Sequence, residues 1–284
     1  SPGSRARYRA AGGGAEQGRG QQPATLPPAA TPRPAPPSER AAPVHSFDNF
    51  HSLHQSISPF QKIFLAGGSA VGAFANPLRG DLVAVFGDVT AHAALHRTRQ
   101  RMAQCEEGRE LLARRPVVSN ASLCYERLRQ LPPDTFGSHY IRWMDSHAYE
   151  ADGRPTVQYI DDEELAYVML RYRQTHDFWH VLLGLPPTVL GELVQKRFEY
   201  LQTGLPSCAI SSYVGPLRLP PSDMLALATR LYPWAAQCSA QCAFLMAVNF
   251  ERYLDHPLQT VREKLRILPA PPLPDDTLPT TPLP

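Results

Sequence analysis

Residues 161–203 read DDEELAYVMLRYRQTHDFWHVLLGLPPTVLGELVQKRFEYLQT, and this stretch decides the fold. Apolar and aromatic residues recur in its first half with the period of a helix, which predicts an amphipathic helix that ends at Gly184. Asp161 and Asp162 can cap its start. Thr188 follows Pro186-Pro187 and can begin a second helix, so the stretch predicts a helical hairpin. The inward stripe of the first helix consists of Leu165, Met169, Tyr172, His176, Trp179, His180 and Leu183.

This inward stripe carries a pattern of metal-ligand residues, HDxxH followed by eleven residues and a glutamate. His176 and His180 are four residues apart, so both imidazoles lie on one helix face and can bind one ion. Asp177 and Glu192 would complete a set of two histidines and two carboxylates, which suits Zn, Mn or Fe(II). The motif is not that of the zinc proteases, because its second residue is Asp instead of Glu.

Less specific interpretations exist for this pattern. A histidine pair at this spacing also arises by chance in buried helices. The pair His176-Asp177 occurs in metal-dependent phosphohydrolases too, but the further His and Asp ligands that those enzymes need cannot be identified here. Phosphate-ester hydrolysis is therefore a distant alternative.

Glu192 is the least secure member of the set. The apolar stripe of the second helix lies on its opposite side and comprises Leu190, Val194, Phe198 and Leu201. Glu192 shares its own side with Gln195, Lys196 and Glu199. If that side faces water, Glu192 is an ordinary surface acid, and periodicity alone favours this interpretation. If it faces the first helix, Glu192 completes the site.

A second segment, Ile63 to Ala75, has no charged residue and holds Gly68 and Gly72 at GxxxG spacing. Its thirteen residues are too short to span a bilayer. The favoured interpretation is a tightly packed core helix, and the alternative is a surface that receives a polyprenyl tail or touches a membrane. The glycines follow a helical run instead of a strand, so they give only weak support to a dinucleotide site.

The rest of the chain predicts one all-α domain between two disordered tails. Nine of the 30 prolines fall in residues 1–46 and seven in 269–284, while residues 47–268 form the helical domain. Apolar runs near 60–75, 80–104, 122–130, 221–254 and 258–266 complete the helical pattern, and Thr156–Ile160 could be one short extended piece. The N-terminal segment has six Arg and only Glu16 and Glu39 as acids, a composition compatible with a mitochondrial transit peptide.

Charge and cysteine usage exclude some classes of function. The net charge of +2 gives no argument for nucleic-acid binding. Five cysteines without a CxxC pair favour a reducing compartment. Arg79, Arg127 and Arg171 could hold an acidic head group, although solvated surface charge is the favoured interpretation for each.

The hairpin stretch YVMLRYRQTHDFWHVLLGLPPTVLGELVQKRFEYLQTGLP (167–206) resembles the core of the ubiquinone-biosynthesis family known as coenzyme Q protein four. The family signature HDxxH, eleven residues, E is matched without a gap. Flanking segments also resemble the family, and the resemblance covers about residues 47–268. These segments are SPFQKIFLAGGSAVGAFANPLRGDLVAVFGD (58–88), LPPDTFGSHYIRWM (131–144) and GPLRL (215–219).

The resemblance implies a site and a place in the cell. A divalent metal, commonly taken as zinc, would be held by His176, Asp177, His180 and Glu192. The protein would be peripheral on the matrix side of the mitochondrial inner membrane. Its partners would be the other proteins of the ubiquinone-biosynthesis complex and a polyprenylated benzoate or other isoprenoid lipid. A homodimer is a further expectation, because many helical proteins of this size dimerise.

The resemblance also implies an activity. The family is linked to metal-dependent C1 decarboxylation, in plain or oxidative form, of 4-hydroxy-3-methoxy-5-polyprenylbenzoate, which would make the chain a carboxy-lyase. The resemblance also implies a role in organising the multi-protein ubiquinone-synthesis complex at the inner mitochondrial membrane. The alternative is a non-enzymatic scaffold and lipid-binding component of the complex, in which the metal is structural. Beyond the metal ligands, the sequence identifies no catalytic residue and no flavin or nicotinamide site.

Overall fold

The computed structural model describes residues 54–75 and 80–274, and it contains no β-strand within those ranges. The predicted all-α class is therefore confirmed. A π-helical turn, Leu227–Leu231, joins two of the helices. The α-helices are α1 (Pro59–Ala75), α2 (Gly80–Thr90), α3 (His92–Met102), α4 (Glu106–Arg114), α5 (Asn120–Leu123), α6 (Tyr125–Arg129), α7 (Phe136–His147), α8 (Glu163–Leu183), α9 (Val189–Thr203), α10 (Pro206–Val214), α11 (Pro221–Ala226), α12 (Tyr232–Gln241) and α13 (Leu258–Leu265).

Helix α8 is the central element of the fold. The Asp162 side chain accepts a hydrogen bond from the backbone N–H of Leu165 (3.0 Å), which caps the helix start. Gly184 ends the helix with a φ of 73°, a conformation that glycine adopts without strain. Every residue from Leu165 to Leu183 is buried, so other helices cover both faces of α8. The predicted helix is confirmed, and residues on all its sides are buried instead of only those of the predicted inward stripe.

Aromatic packing fixes α8 against its neighbours. The Phe178 ring lies 4.4 Å from that of Tyr140 and 5.5 Å from that of Phe136, both on α7. It also lies 5.4 Å from the ring of Phe250, in a short 3-10 turn. Tilted aromatic pairs at these distances add attraction to the area they bury. Phe178, at the centre of this cluster, lies between the two histidines of the motif in sequence.

The predicted hairpin of α8 and α9 is confirmed, and a close backbone approach determines its geometry. Thr188 caps α9 by accepting a hydrogen bond from the backbone N–H of Gly191 (3.2 Å). A Cβ at position 191 would lie 2.1 Å from the carbonyl oxygen of Pro186, so only glycine fits there. Gly191 therefore determines where the first turn of α9, with Glu192, meets the end of α8.

We expect Gly191→Ala to destabilise the fold by about 1–3 kcal/mol, because the added methyl group forces the hairpin loop away from α9. Gly68→Ala on α1 is the matched control, since a Cβ at that position meets no atom within 4 Å. The control is expected to be neutral or to gain about 0.5–1 kcal/mol from the better helix propensity of alanine. Urea denaturation of both variants measures the difference. Equal stability of the two variants would contradict the close-approach argument.

The sequence favoured a tightly packed core helix for the segment of α1, but the structure places α1 at the surface. Phe60, Ile63 and Phe64 are 70–72 % exposed, and α1 packs mainly against α2. Gly72 is at a close contact, because a Cβ there would lie 2.6 Å from Leu82, whereas Gly68 approaches nothing. Within the uncharged run, Ile63, Phe64 and Val71 are exposed and Ser69 is buried, so the described part of the run carries an exposed apolar surface. None of the helices in the described ranges has the length and hydrophobicity needed to cross a membrane.

Several other boundaries differ from the predictions. The run 221–254 is not one helix, because the chain leaves α12 at Cys242 and continues through 3-10 turns that bury Leu245 and Phe250. Residues 156–160 form no strand in the structure. Residues 1–53 and 275–284, most of the two predicted tails, lie outside the described residues. The first residues of the predicted C-terminal tail contact the helical domain, since the backbone N–H of Ala270 donates a hydrogen bond to the Leu183 carbonyl (2.7 Å).

Candidate metal centre

The hairpin brings three of the four predicted ligands together. The Nε2 atoms of His176 and His180 lie 3.1 Å apart. The Glu192 carboxylate faces both rings, with 3.0 Å from Oε1 to His180 Nε2 and 3.6 Å from Oε2 to His176 Nε2. Three ligand atoms, one from each residue, lie within 4.8 Å of one another. Two helix faces thus converge on one point.

The position of Glu192 corrects the interpretation that periodicity favoured. Its side of α9 faces α8 and not water, since Gln195 and Glu199 on the same side are fully buried. The opposite, apolar side is also covered over most of its length, because Leu190, Val194 and Phe198 are buried, whereas Leu201 is 37% exposed. Helix α9 is therefore buried on two sides, and its polar side meets the histidine side of α8.

Hydrogen bonds at the far side of each ring orient both imidazoles. The Nδ1 atom of His180 lies 3.0 Å from the carbonyl oxygen of Leu185, and that of His176 lies 2.5 Å from a carboxylate oxygen of Glu199. Since these oxygens can only accept, each Nδ1 carries the proton that it donates. In its neutral form, each ring then presents its Nε2 lone pair to Glu192.

This donor set fits a divalent cation. Two imidazole lone pairs and one carboxylate converge at distances of 3.0–3.6 Å, and such electron-rich atoms repel one another unless a proton or metal ion lies between them. Two histidines and one carboxylate suit zinc and other divalent transition metals. Three protein ligands also leave coordination positions free, as in catalytic sites.

The ionisation of the site follows from the same contacts. Burial raises the pKa of Glu192, but the imidazoles of His180 and His176 in their protonated form lower it more, so the pKa lies well below its usual value. Burial and Lys196 lower the pKa of His176, whereas Glu199 and Glu192 raise it, and the net effect is upward. The site therefore keeps its carboxylate anionic and attracts a cation.

The structure places Asp177 differently from the other three residues. Its carboxylate is buried and pairs with Arg154, whose Nε lies 3.2 Å from Oδ2 and whose terminal nitrogen bonds Oδ1. Burial lowers the pKa of Arg154, but Asp177 raises it more, which keeps the guanidinium charged. Asp177 is not in the group formed by the two histidines and Glu192. Its role as a fourth ligand stays a prediction.

The three arginines considered for an acidic head group do not share a role. Arg127 pairs with Asp255 on the surface. Arg171 is fully buried and forms two bonds to the Glu251 carboxylate (2.6 and 2.7 Å), so the surface interpretation is wrong for it. Arg79 lies outside the described residues.

A cavity of about 370 Å³ opens beside the candidate centre, and His180 forms part of its wall. The Trp143 ring stacks on His180, with centroids 5.2 Å apart and planes inclined by 24°. The buried indole N–H of Trp143 has no hydrogen-bond acceptor among the described residues. His139, His147 and Arg262 also line the cavity.

Sequence reasoning missed these cavity residues. They come from α7 and α13, far from the HDxxH helix in sequence, and their spacing carries no signal. His139 and Trp143 lie in the segment LPPDTFGSHYIRWM, where the family resemblance was the only signal. Arg262 binds the Leu182 and Val181 carbonyls at the end of α8 (2.8 and 3.0 Å), which places a cation at the negative end of that helix.

Comparisons with known proteins agree on one family. The model of the family described as "Coenzyme Q (ubiquinone) biosynthesis protein Coq4" matches residues 51–271. A human protein named "Ubiquinone biosynthesis protein COQ4 homolog, mitochondrial" is 41% identical over 223 residues, 78% of this chain and 84% of that protein. The similarly named protein of Schizosaccharomyces japonicus is 38% identical over 225 residues, 79% of this chain and 94% of its own length.

A solved structure supports the fold. The crystal structure of a putative ubiquinone biosynthesis protein from Nostoc punctiforme aligns with a TM-score of 0.55 and 23% identity. The alignment covers 72% of this chain and 93% of that one. At this identity the likeness concerns the helical architecture alone.

Proposed function

This chain belongs to the Coq4 family of coenzyme Q (ubiquinone) biosynthesis proteins, and we propose that it removes the C1 carboxylate of a polyprenylated hydroxy-methoxybenzoate. The observation that carries the proposal is the convergence of His176, His180 and Glu192 beside an aromatic-walled cavity. His176, His180 and Glu192 would hold a divalent ion, most simply Zn²⁺. When bound, that ion would act as a Lewis acid toward the carboxylate or phenolate of the substrate.

The residues around the cavity suit the head group of this substrate. Trp143, stacked on His180, forms part of the aromatic lining, and its indole N–H, which has no acceptor among the described residues, can donate to a substrate oxygen. His139 and His147 line the same space and can carry a proton. In the plain reaction the bond from C1 to the carboxyl carbon breaks, carbon dioxide leaves, and C1 keeps the electron pair and takes up a proton. The oxidative form puts a hydroxyl group on C1 and consumes an oxidant.

We further propose that the protein works in the mitochondrion, peripherally on the matrix side of the inner membrane and within the ubiquinone-biosynthesis complex. The relatives are named mitochondrial. A polyprenyl tail needs an apolar surface, and the exposed side chains of Phe60, Ile63 and Phe64 on α1 offer one.

The test is release of labelled carbon dioxide from carboxyl-labelled 4-hydroxy-3-methoxybenzoate that bears a short prenyl chain. We expect Zn²⁺-loaded wild-type protein to release label and His180→Ala to release none while remaining folded by circular dichroism. The product mass separates the plain from the oxidative reaction, because only the latter adds oxygen. Metal-loaded protein that binds its partners but releases no label, with or without an oxidant, would support the scaffold function instead.

A further inference from the structure

A carboxylate that the proposed ligand set does not use lies directly behind His176. Glu199 is fully buried and follows Glu192 on the same side of α9. One of its oxygens lies 2.5 Å from His176 Nδ1. Its other bonds come from Gln195 Nε2 (3.1 Å), Lys196 Nζ (2.8 Å), the Tyr172 hydroxyl (2.5 Å) and the Cys208 thiol (3.4 Å).

Stability alone does not account for this buried network. Withdrawing a carboxylate and an ammonium from water costs several kcal/mol per ion, and apolar residues of similar volume often replace such pairs without loss. The pair Glu199–Lys196 reaches the candidate metal centre through His176 Nδ1. In the neutral ring, the protonation of Nδ1 decides whether Nε2 presents a lone pair or a proton to Glu192.

The neighbours of His176 Nδ1 show what Glu199 prevents. Gln195 Nε2 lies 3.1 Å from Nδ1 and Lys196 Nζ lies 3.4 Å from it, and both atoms are donors. Without Glu199, these donors would bond the Nδ1 lone pair and leave the ring proton on Nε2. A proton on Nε2 occupies the position from which the ring would bind an ion.

We propose that Glu199 is a positioning residue, which accepts the Nδ1 proton of His176 and thereby directs the Nε2 lone pair toward Glu192 and His180. Lys196 balances the charge of Glu199 in the interior. The proposal rests on the metal-binding part of the proposed function and is independent of the decarboxylation step. It predicts that Glu199 determines the affinity of the site for a divalent ion.

The test uses a charge-balanced pair of variants and Co²⁺ as the probe. Glu199→Met together with Lys196→Met removes both charges at nearly constant volume, so the fold is expected to survive. We expect the affinity for Co²⁺, measured against a competing chelator, to fall about 10–100-fold. Lys196→Met alone is the matched control, because it keeps Glu199. It leaves the buried Glu199 carboxylate without its ammonium partner, so it is expected to be less stable than wild type, while its folded form is expected to bind Co²⁺ at least as tightly. Glu199→Gln is the second variant, with a smaller loss expected because its amide oxygen is a weaker acceptor.

A spectroscopic readout separates positioning from a merely structural role. In metal-free protein labelled with ¹⁵N-histidine, we expect His176 to carry its proton on Nδ1, and on Nε2 in the double variant. Unchanged Co²⁺ affinity and an unchanged ring proton in the folded double variant or in Glu199→Gln would overturn the proposal. Wild-type protein that binds Co²⁺ but releases no carbon dioxide would refute the decarboxylase and leave the positioning role intact. Wild-type protein without Co²⁺ binding would overturn both.

Discussion

Glu192→Gln is expected to weaken divalent-metal binding by more than about 100-fold and to abolish carbon dioxide release. The change is isosteric and removes the negative charge that faces the Nε2 atoms of both imidazoles. Changes to residues that only support ligands cost about 10–100-fold in metal affinity, and loss of a direct carboxylate ligand is expected to exceed that. Equilibrium dialysis of the purified variant with Zn²⁺ measures the affinity, beside the label-release assay.

The control for this prediction is Glu126→Gln, the same chemical change at an exposed position on α6. It should bind Zn²⁺ as the wild type does. If Glu192→Gln bound Zn²⁺ with the affinity of the control, Glu192 would be no ligand, whatever its distance from the histidines.

Arg171→Met is expected to lower the free energy of unfolding by about 3–5 kcal/mol. The guanidinium of Arg171 is fully buried, forms two bonds to Glu251 and a third to the Val248 carbonyl (3.2 Å). Its removal leaves the mostly buried Glu251 carboxylate without its partner, and an uncompensated interior charge is costly. Urea denaturation of the metal-free protein gives the value.

Arg127→Met is the matched control for Arg171→Met, because Arg127 and its partner Asp255 are both about half exposed. Exposed ion pairs contribute only about 0–1 kcal/mol. Adding Glu251→Met to Arg171→Met should recover part of the loss, since it removes the stranded charge. Equal destabilisation by Arg127→Met and Arg171→Met would show that the buried ion pair contributes no more to the free energy of unfolding than the exposed one.

The hairpin was predictable because its signals are local. Asp162, Gly184 and Thr188 act in the structure as the cap residues that the sequence indicated. The pairing of His176 with His180 follows from their spacing on one helix. These features depend on residues within a few turns of one another, which is the range over which sequence patterns carry information.

The environment of Glu192 was not predictable from periodicity. A hydrophobic stripe shows which side of a helix is apolar, and it indicates the buried side only when the other side faces water. Helix α9 is covered on both sides. On its polar side, Glu199 and Gln195 form hydrogen bonds with His176 of α8. The converse error occurred at α1, where Ile63, Phe64 and Val71 of the uncharged run are exposed.

Other parts of the site depend on contacts between distant segments. Arg154, which binds Asp177, precedes it by 23 residues, and Trp143 reaches His180 from a separate helix. Likewise, nothing in residues 221–254 marks the point near Cys242 where the chain leaves the helix to cover the core. No local pattern encodes such contacts, because packing decides them.

X-ray absorption spectroscopy of the Zn²⁺-loaded protein tests most directly whether His176, His180 and Glu192 bind an ion. We predict nitrogen and oxygen ligands at about 2.0–2.1 Å, with the scattering pattern of two imidazoles, and loss of one imidazole in His180→Ala. A sulfur shell at about 2.3 Å would indicate cysteine ligands instead. That result, or an unchanged spectrum in His180→Ala, would contradict the proposed centre.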